Sequence, residues 1–414
     1  MQPTTLIQLV GDQTVQNLLP VMALRPDKII QLRSRDLPHQ TRFKVAAANF
    51  SSAVKELAHE DASKGYKPEV ITEEIPDTSP DIETTRILIA QKLAAIPGSV
   101  VNFTGATKLM SIGAHQAASA LGAPSIYCDT QEKRFTDGGT GKLDAWPDFS
   151  STASALTVPL LMAAHGKNFG EWRHDIPTDA LKAYGLVAFG QRRTHWEALE
   201  GFNKALRSFF YRKNGKIPSS EAELRKLISE PLPNAVSSTQ PGRELLEAAT
   251  NANILLRQGS DHFIIANGVK RDVERVANLL IGTWLELAVL AMLERHPRYQ
   301  NPLWSVSPRK THDTDFGEMD LVCVDQRTAS LRYLSCKAVL DRPPLEHLEA
   351  VGDRAHRVGG SHAASTLVVF HPFDQGQEQI IARYAMRLRM DAAIGADKIV
   401  GEFHHAQPAA TPNP

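Results

Sequence analysis

The sequence has few of the features that mark a secreted, membrane-embedded or polyanion-coating protein. Its three cysteines, Cys128, Cys323 and Cys336, show no paired spacing and so indicate neither a disulfide framework nor a structural zinc site. The 46 basic residues are balanced by 46 acidic ones, so a polyanion could bind only at a local basic surface. No apolar run reaches the roughly 18 residues of a membrane span, and the N-terminus lacks a signal-peptide pattern. We therefore expect a cytoplasmic protein that is not inserted in a membrane.

One stretch is locally basic. Residues 192–216 contain seven basic residues against two acidic ones, and several aromatic residues lie among them. We interpret this stretch as an amphipathic helix with solvated charges, whose aromatic side chains face the core. A nucleic-acid groove is the alternative interpretation.

The first 135 residues or so alternate short apolar runs with helical patterns. The runs TLIQLV, DKIIQL, SVVNF and APSIYC have the composition of strands, and residues 79–95 and 108–121 have the spacing of helices. This alternation predicts a parallel sheet with helices on both faces, a Rossmann-like domain over residues 1–150. Ligands of such domains bind at the carboxyl ends of the strands.

The rest of the chain divides into three segments. Residues 151–265 are less regular and mostly helical, and they include SSEAELRKLI, which starts with a capping box. In residues 266–405, a long helical pattern precedes the strands GEMDLVCV, SLRYLSCKAVL and STLVVF, which predicts a compact α/β domain. Residues 406–414 have the composition of a disordered tail. The predicted fold class is therefore α/β, with two α/β domains joined by a connector and a helical insertion.

Two polar loops of the first domain are candidate ligand sites. In VNFTGATKLMS, a strand ends near Asn102, the chain turns at Thr104 and Gly105, and a helix starts at Thr107 and Lys108. Glycine lets the backbone approach a ligand, and the amides of a helix start suit a phosphate. The Walker A and dinucleotide patterns are absent, and a glycine turn with a threonine cap is the structural alternative.

The second loop follows the first strand and contains Gly11, Gln13 and Thr14. Because both loops follow strands of one parallel sheet, they are expected at the same edge. Two polar loops at one edge favour a ligand site there.

The second α/β domain carries a stronger chemical pattern. Glu286 lies on an uncharged face of the long helix, where a carboxylate is costly without a cation or a hydrogen-bond donor. Alternation places Glu318 and Asp320 on one face of a strand, and Ser335 and Lys337 on one face of the next. Carboxylates that hold a hard cation, with a lysine that positions or deprotonates water, are typical of metal-dependent phosphodiester cleavage. A buried acid–lysine ion pair that only holds the core together is the alternative.

These motifs, taken in order, resemble a known family. TGATKLMS followed by a helix and SIYCDT resembles the ligand loop of the CARF domains of type III CRISPR systems. GTWLE, GEMDLV, LSCKA and RVGG resemble the PD-(D/E)xK nuclease domain fused to it in the ancillary effector nucleases that cyclic oligoadenylates activate. LTVPLLMAAHG resembles the connector that follows the CARF domain in that family. The resemblance covers most of the chain except about residues 175–265.

The resemblance implies a homodimer in which two CARF domains form one pocket for a cyclic oligoadenylate, most often cyclic tetra-adenylate. Ring binding would bring the nuclease halves into a productive arrangement. Mn²⁺ or Mg²⁺ would be the cofactor, and the substrates would be single-stranded or supercoiled DNA and sometimes RNA. The implied pocket residues are Gly11, Gln13, Thr14, Asn102, Thr104, Gly105, Thr107 and Lys108. The implied metal ligands are Glu286, Asp320 and the carbonyl of Cys336, with Lys337 handling the water.

One position departs from the family pattern. The family prefers Asp or Glu two residues before the lysine, and Ser335 stands there. A hydroxyl does not supply the charge of a carboxylate, so metal affinity is expected to be weaker. Glu318 shares a face with Asp320 and is our candidate for a substitute acid.

Three other functions fit parts of the sequence. A catalytically weak or inactive adenylate-binding regulator is favoured by Ser335 and disfavoured by Lys337 and the carboxylates. A Rossmann-type nucleotide-dependent enzyme lacks the glycine fingerprint and the ribose-binding acid. A DNA-binding regulator would use a winged helix in residues 190–230.

Overall fold

The computed structural model describes residues 5–11, 14–61, 65–75, 77–139, 147–211, 216–218, 220–258, 262–266, 273–308, 317–340, 344–360, 363–370 and 375–404. The chain divides into two compact units. The first contains the described residues of Met1–Trp172, Cys323–Arg332 and Ala355–Ala364, and the second those of Arg173–Val322, Tyr333–Arg354 and Ser365–Pro414.

A six-stranded sheet forms the centre of the first unit. Its strands are β1 (Thr5–Leu9), β2 (Lys28–Ser34), β3 (Glu69–Ile75), β4 (Val100–Asn102), β5 (Ser125–Asp129) and β6 (Arg134–Asp137). The order is β3-β2-β1-β4-β5-β6, and all neighbouring pairs are parallel except β5 with β6. β1 is buried along its whole length, as expected for a strand covered on both faces.

This strand order places a topological switch point between β1 and β4. The chain runs outward from β1 to β3 and then returns to the other side of β1 with β4. The loops after β1 and β4 therefore diverge at the carboxyl edge, where sheets of this type bind ligands. The helices of this unit are α1 (Thr14–Leu24), α2 (Arg42–Glu60), α3 (Ile82–Ala95), α4 (Lys108–Leu121), α5 (Phe149–Ala153) and α6 (Val158–Ala164).

A second six-stranded sheet has the order β14-β13-β12-β11-β10-β7. Its strands are β7 (Trp172–Asp175), β10 (Tyr299–Pro308), β11 (Met319–Asp325), β12 (Ser330–Lys337), β13 (Ala364–Val369) and β14 (Asp391–Ile394). A separate antiparallel pair consists of β8 (Leu255–Gln258) and β9 (His262–Ile265).

Ten helices of the described chain follow the first unit's helices. They are α7 (Asp179–His195), α8 (Glu200–Phe210), α9 (Glu221–Ser229), α10 (Asn234–Ser237), α11 (Gln240–Asn251), α12 (Val273–Asn278), α13 (Trp284–Leu293), α14 (Pro344–Gly359), α15 (Gln375–Arg387) and α16 (Ala396–Phe403). A π-helical segment, Leu279–Thr283, joins α12 to α13.

The long helical stretch Val273–Leu293 corrects one composition-based expectation. By length and composition it could cross a membrane, with a mean hydropathy of 1.9 in its most apolar window. In the structure, 72% of that window is buried inside the protein. A core helix passes the same test of length and composition, and most of this stretch is buried against the rest of the protein.

The predicted α/β fold is confirmed. The runs TLIQLV, DKIIQL, SVVNF and APSIYC form β1, β2, β4 and β5, and α4 spans Lys108–Leu121 as predicted. The locally basic stretch is helical in α7 and α8, and Phe202 and Phe210 are buried, so the core-facing interpretation of its aromatic side chains holds for these two. The predicted domain boundaries remain predictions.

Candidate ligand loop and candidate active site

The loops after β1 and β4 touch at the carboxyl edge of the first sheet. A Cβ atom on Gly11 would lie 2.6 Å from the backbone nitrogen of Ala106. A Cβ atom on Gly105 would lie 2.1 Å from the carbonyl oxygen of Leu9. Both distances are far inside van der Waals contact, so glycine is required at both positions. The two loops predicted to share one edge are therefore in contact.

Asn102 and Thr104 fix the loop after β4 through hydrogen bonds. The side-chain oxygen of Asn102 accepts hydrogen bonds from the backbone nitrogen (3.1 Å) and the hydroxyl (2.6 Å) of Thr104. The Thr104 hydroxyl accepts a third bond, from the backbone nitrogen of Cys128, at 2.7 Å. Asn102 is fully buried, and its amide nitrogen lies 3.4 Å from the side-chain oxygen of Asn17. Both side chains therefore position the loop in this structure.

The exposed part of the loop is the start of α4. Thr107 is the N-cap residue, and its hydroxyl accepts a hydrogen bond from the backbone nitrogen of Met110 at 3.3 Å. Thr107 and Lys108 are exposed, whereas Thr14 is buried at the start of α1. Gln13 lies outside the described residues. The groups available to a phosphate are thus the helix-start amides and the Lys108 ammonium.

We expect Gly105→Ala to disrupt the candidate loop. The new methyl group would collide with the β1 backbone, which cannot move as a flexible side chain can. The free energy of unfolding should fall by about 1 to 3 kcal/mol, as for other overpacked sites. Gly201→Ala in α8 is the matched control, because nothing lies within 4 Å of its Cβ position. Equal thermal stability of the two variants would contradict the close approach of the loops.

Asp320 is the centre of the candidate active site in the second unit. One of its carboxylate oxygens, Oδ2, accepts hydrogen bonds from the backbone nitrogen of Cys336 at 2.7 Å and from the Ser335 hydroxyl at 3.1 Å. The ammonium of Lys337 donates a third, at 3.3 Å. The structure therefore brings together the acid of β11 and three successive residues of β12. The strand alternation predicted that Ser335 and Lys337 share a face, and the contact from Cys336 is made by its backbone nitrogen.

Glu286 of α13 lies in the same electrostatic environment. Burial and then the negative charge of Asp320 raise its pKa to about 8, while the hydrogen bond from Trp304 and the charge of Lys337 lower it. The Trp304 indole nitrogen donates to one carboxylate oxygen of Glu286 at 2.8 Å. A carboxyl group whose pKa is raised by burial and by a second carboxylate is typical of a functional site.

Lys337 is a cation in this site. Burial lowers its pKa, but electrostatic interactions, above all with the carboxylate of Asp320, outweigh burial, and the net shift is upward. An ammonium with a raised pKa does not accept a proton near neutral pH. Of the two roles considered for this residue, positioning water or deprotonating it, a raised pKa fits positioning better.

Glu318 precedes β11 at the edge of the site. Its side chain is exposed and accepts a hydrogen bond from the Ser305 hydroxyl at 2.5 Å. Its backbone oxygen accepts a bond from Arg354 at 3.0 Å. Its charge also contributes to the raised pKa of Glu286, which places it near enough to act on that residue. Its role as a substitute acid remains a prediction.

The π-helical segment before α13 depends on side chains that the sequence pattern did not identify. The hydroxyl of Tyr184 donates to the carbonyl oxygen of Leu279 at 3.2 Å, and the Arg192 guanidinium donates to that of Leu280 at 2.9 Å. Trp284 donates through its indole nitrogen to the next carbonyl, at 3.1 Å. A π segment breaks the regular helical hydrogen bonds, and these donors satisfy three successive carbonyl groups. Because Glu286 lies just beyond the segment, they set its position.

Arg192 is buried and stacks on an aromatic cluster next to the site. Its guanidinium lies 4.5 Å from the ring centroid of Trp284, whose ring contacts Phe370 edge-on at 4.9 Å. The backbone nitrogen of Phe370 donates to the Lys337 carbonyl oxygen at 3.0 Å. Helix α7 also packs closely on α13, since a Cβ on Gly185 would lie 2.6 Å from the Leu287 side chain. Part of the predicted insertion therefore supports the candidate catalytic helix.

The side chains of the candidate active site supply some of the oxygen ligands that a hard divalent cation requires. Glu286 and Asp320 offer carboxylate oxygens, which Mg²⁺ and Mn²⁺ prefer. Within the described ranges, no group of three or more His, Cys, Asp or Glu side chains could hold a metal ion. Ser335 supplies a hydroxyl where a third carboxylate would complete such a group. The Cys336 carbonyl as a ligand remains a prediction.

Comparison with known proteins assigns the residues of the first unit's sheet to a domain family. Residues 5–140 match the family described as the Card1 CARF domain. These residues form a CARF domain. Its switch-point loops are the ones built around Gly11 and Gly105. A search of curated proteins gives no match for the chain.

Two solved structures share the fold over nearly the whole chain. One is Can2 from Sulfobacillus thermosulfidooxidans in complex with cyclic tetra-adenylate, with 18% identity, a TM-score of 0.61 and coverage of 97% of this chain and 99% of that one. The other is protein VC1899 from Vibrio cholerae, with 14% identity, a TM-score of 0.65 and coverage of 95% and 94%. The likeness to both proteins therefore extends beyond the CARF domain to the fold of the second part of the chain.

Proposed function

We propose that this protein is a nuclease of CRISPR defence that a cyclic oligoadenylate activates and a divalent metal assists. The observation that carries the proposal is the convergence of Lys337, Ser335 and the Cys336 amide on one oxygen of Asp320, with Glu286 beside it. This set occurs in a chain whose first part is a CARF domain. The family resemblance supplies the connection between the two.

In this proposal each residue of the site has a separate task. Glu286 and Asp320 would hold Mn²⁺ or Mg²⁺, which when bound would polarise the scissile phosphate. The Lys337 ammonium would orient the attacking water and stabilise charge that develops on the phosphate. Ser335 and the Cys336 amide fix the Asp320 carboxylate through their hydrogen bonds.

The activator is proposed to be cyclic tetra-adenylate, bound across a homodimer. The structure of Can2 contains that ring, which supports this ring size. Helix α4, which starts at the ligand loop, exposes Leu109 (48%) and Ile112 (44%) one turn apart. Such an apolar pair on a surface helix suits a two-fold contact with a second copy. Three buried free cysteines suit a reducing cytoplasm.

A regulator without catalytic activity is the second candidate. It is favoured by Ser335, because among the described residues only Asp320 and Glu286 are carboxylates that act on Lys337. It would bind the ring and a partner but cut nothing.

The two functions are separated by measuring ring binding and cleavage on the same preparation. Calorimetric titration with cyclic tetra-adenylate tests the sensor, with Lys108→Ala as the variant expected to weaken binding. Cleavage is then followed in manganese on supercoiled plasmid, single-stranded DNA and RNA. Ring binding with ring-dependent cleavage supports the nuclease. Ring binding with no cleavage of any substrate supports the regulator, and absence of ring binding overturns both.

Replacing Glu318 tests the substitute acid. If this carboxylate makes up for Ser335, Glu318→Ala should reduce manganese-dependent cleavage by about tenfold, the usual effect of losing a residue that supports a metal ligand. Added manganese should restore part of the loss. Full activity in Glu318→Ala at limiting manganese would refute the role.

The raised pKa of Glu286 predicts a pH-dependent stability difference. In the folded protein this carboxyl stays protonated up to about pH 8, so its stabilising contribution is complete below its ordinary pKa and is lost as pH rises through about 8. Glu286→Gln mimics the protonated form and escapes this loss. We expect its thermal midpoint in chelator to match that of the wild type near pH 5 and to exceed it above about pH 8. A difference that does not change with pH would contradict the burial of this carboxyl. Glu318→Gln, on an exposed side chain, is the control.

A further inference from the structure

A cavity of about 840 Å³ lies between α2 and the start of β3 in the CARF domain. Its volume falls within the range of small-molecule sites. Part of the cavity wall comes from residues 65–70, which lead into β3 at the amino edge of the sheet. The loops at Gly11 and Gly105 lie at the carboxyl edge, so the cavity is separate from the candidate ring-binding loop.

The cavity wall is cationic and partly apolar. Lys55, His59 and Lys67 line it, and none of the described lining residues is acidic. Among the acids that flank the lining residues, Asp61 pairs with Arg25 and Glu60 accepts a hydrogen bond from Thr157. Glu69 pairs with Lys28, and Glu56 follows Lys55 in α2. Neither Lys55 nor Lys67 forms an ion pair with a described residue. A negatively charged ligand would therefore meet two ammonium groups that no described carboxylate engages.

The remaining wall suits a flat organic group. Val54, Ala58 and Val70 supply apolar surface, and Tyr66 supplies an aromatic ring. The ring is fixed, because its hydroxyl donates to the Pro26 carbonyl at 3.2 Å and the Arg25 guanidinium stacks on it at 4.7 Å. A fixed aromatic ring beside cations matches a ligand with a planar base and a phosphate.

A row of buried polar side chains runs inward from the cavity wall. Ser51, which lines the cavity, accepts a hydrogen bond from the Gln31 amide at 3.2 Å. In the sheet register Gln31 lies beside Gln8, and Gln8 lies beside Asn102. The remaining oxygen of Gln31 and both polar atoms of the Gln8 amide are buried without a partner among the described residues. Buried amides of this kind normally bond ordered water or a ligand.

We propose that this cavity is a second, nucleotide-binding site of the CARF domain, with a mononucleotide as its ligand. Its lysines take the phosphate, and Tyr66 and the apolar wall take the base. The row from Ser51 to Asn102 couples the site to the loop that Asn102 holds through Thr104. The coupling, though not the binding, rests on the proposed function of that loop.

Binding is tested on the full chain by titration with AMP, with adenosine and inorganic phosphate as its two parts. We expect AMP to bind more tightly than either part, and the double variant Lys55→Glu/Lys67→Glu to weaken it by at least about tenfold. Val54→Trp, which fills the cavity, should do the same. Lys44→Glu is the matched control, since it also lies on α2 but outside the cavity lining. Lys108→Ala should leave AMP binding unchanged.

The outcomes separate the new site from the ring site. Absence of AMP binding at millimolar concentration, or AMP binding that is lost in Lys108→Ala and kept in the cavity variants, would overturn the proposal. Phosphate binding as tight as AMP binding would overturn the assignment of a nucleotide. For the coupling, the affinity for cyclic tetra-adenylate should change when AMP is bound, and by linkage the affinity for AMP should change by the same factor. An affinity for cyclic tetra-adenylate that is equal with and without AMP would reject the coupling. The proposal of a second binding site would still stand.

Discussion

Lys337→Ala is expected to lower ring-dependent plasmid nicking by about 10²- to 10³-fold, the usual range for loss of one donor that stabilises developing charge. Lys337 provides the ammonium that pairs with Asp320 at 3.3 Å, and its charge also lowers the pKa of Glu286. Without it, the repulsion between Glu286 and Asp320 would lose its compensating charge, and the attacking water would lose its donor. The measurement is the initial rate of nicking at saturating manganese and cyclic tetra-adenylate.

Two controls make the Lys337 result specific. Lys398→Ala removes a lysine that pairs with Glu378 on the surface and should retain activity. Ring binding by Lys337→Ala should equal that of the wild type, because the substitution lies outside the CARF domain. A variant that nicks within a factor of about three of the wild type would contradict the assignment of the active site.

Arg192→Ala is expected to cost about 2 to 4 kcal/mol of folding free energy. The substitution leaves the Leu280 carbonyl without its donor and empties the space over the Trp284 ring. Because the π segment then loses one of its three side-chain donors, Glu286 should shift, and nicking should fall even where the protein is still folded. Thermal denaturation and nicking at a temperature well below the midpoint measure the two effects.

The adjacent residue offers a matched control for Arg192. Arg193 has a 45% exposed side chain and pairs with Asp397 on the surface, so Arg193→Ala should cost less than about 1 kcal/mol. Arg192→Lys keeps a charge but not the planar stacking and should restore activity only in part. If Arg192→Ala and Arg193→Ala have equal thermal midpoints and equal activity, Arg192 does not position the catalytic helix.

Local patterns in the sequence predict the parts of the site that neighbouring residues determine. The period of two in β11 and β12 places Asp320 and Lys337 correctly, because register fixes which side chains share a face. The turn at Gly105 and the helix start at Thr107 are also local features, and both were predicted. The fold of the CARF sheet follows from the apolar runs of β1, β2, β4 and β5.

The parts that were not predicted depend on contacts between distant segments or on irregular backbone. β10 carries Trp304, the donor to Glu286, but Asn301 and Ser305 in this strand have positive φ angles of 48° and 55°. These residues break the alternation that identifies a strand. Arg192 lies 88 positions from Leu280, so its hydrogen bond to that carbonyl has no local sequence signal.

The most direct test of the proposed function is a time course of supercoiled plasmid in manganese, with and without cyclic tetra-adenylate. We expect the wild-type protein to nick the plasmid only when the ring is present. Nicking at the same rate without the ring would contradict activation through the CARF domain. No cleavage of plasmid, single-stranded DNA or RNA, with ring binding shown on the same preparation, would contradict the nuclease itself.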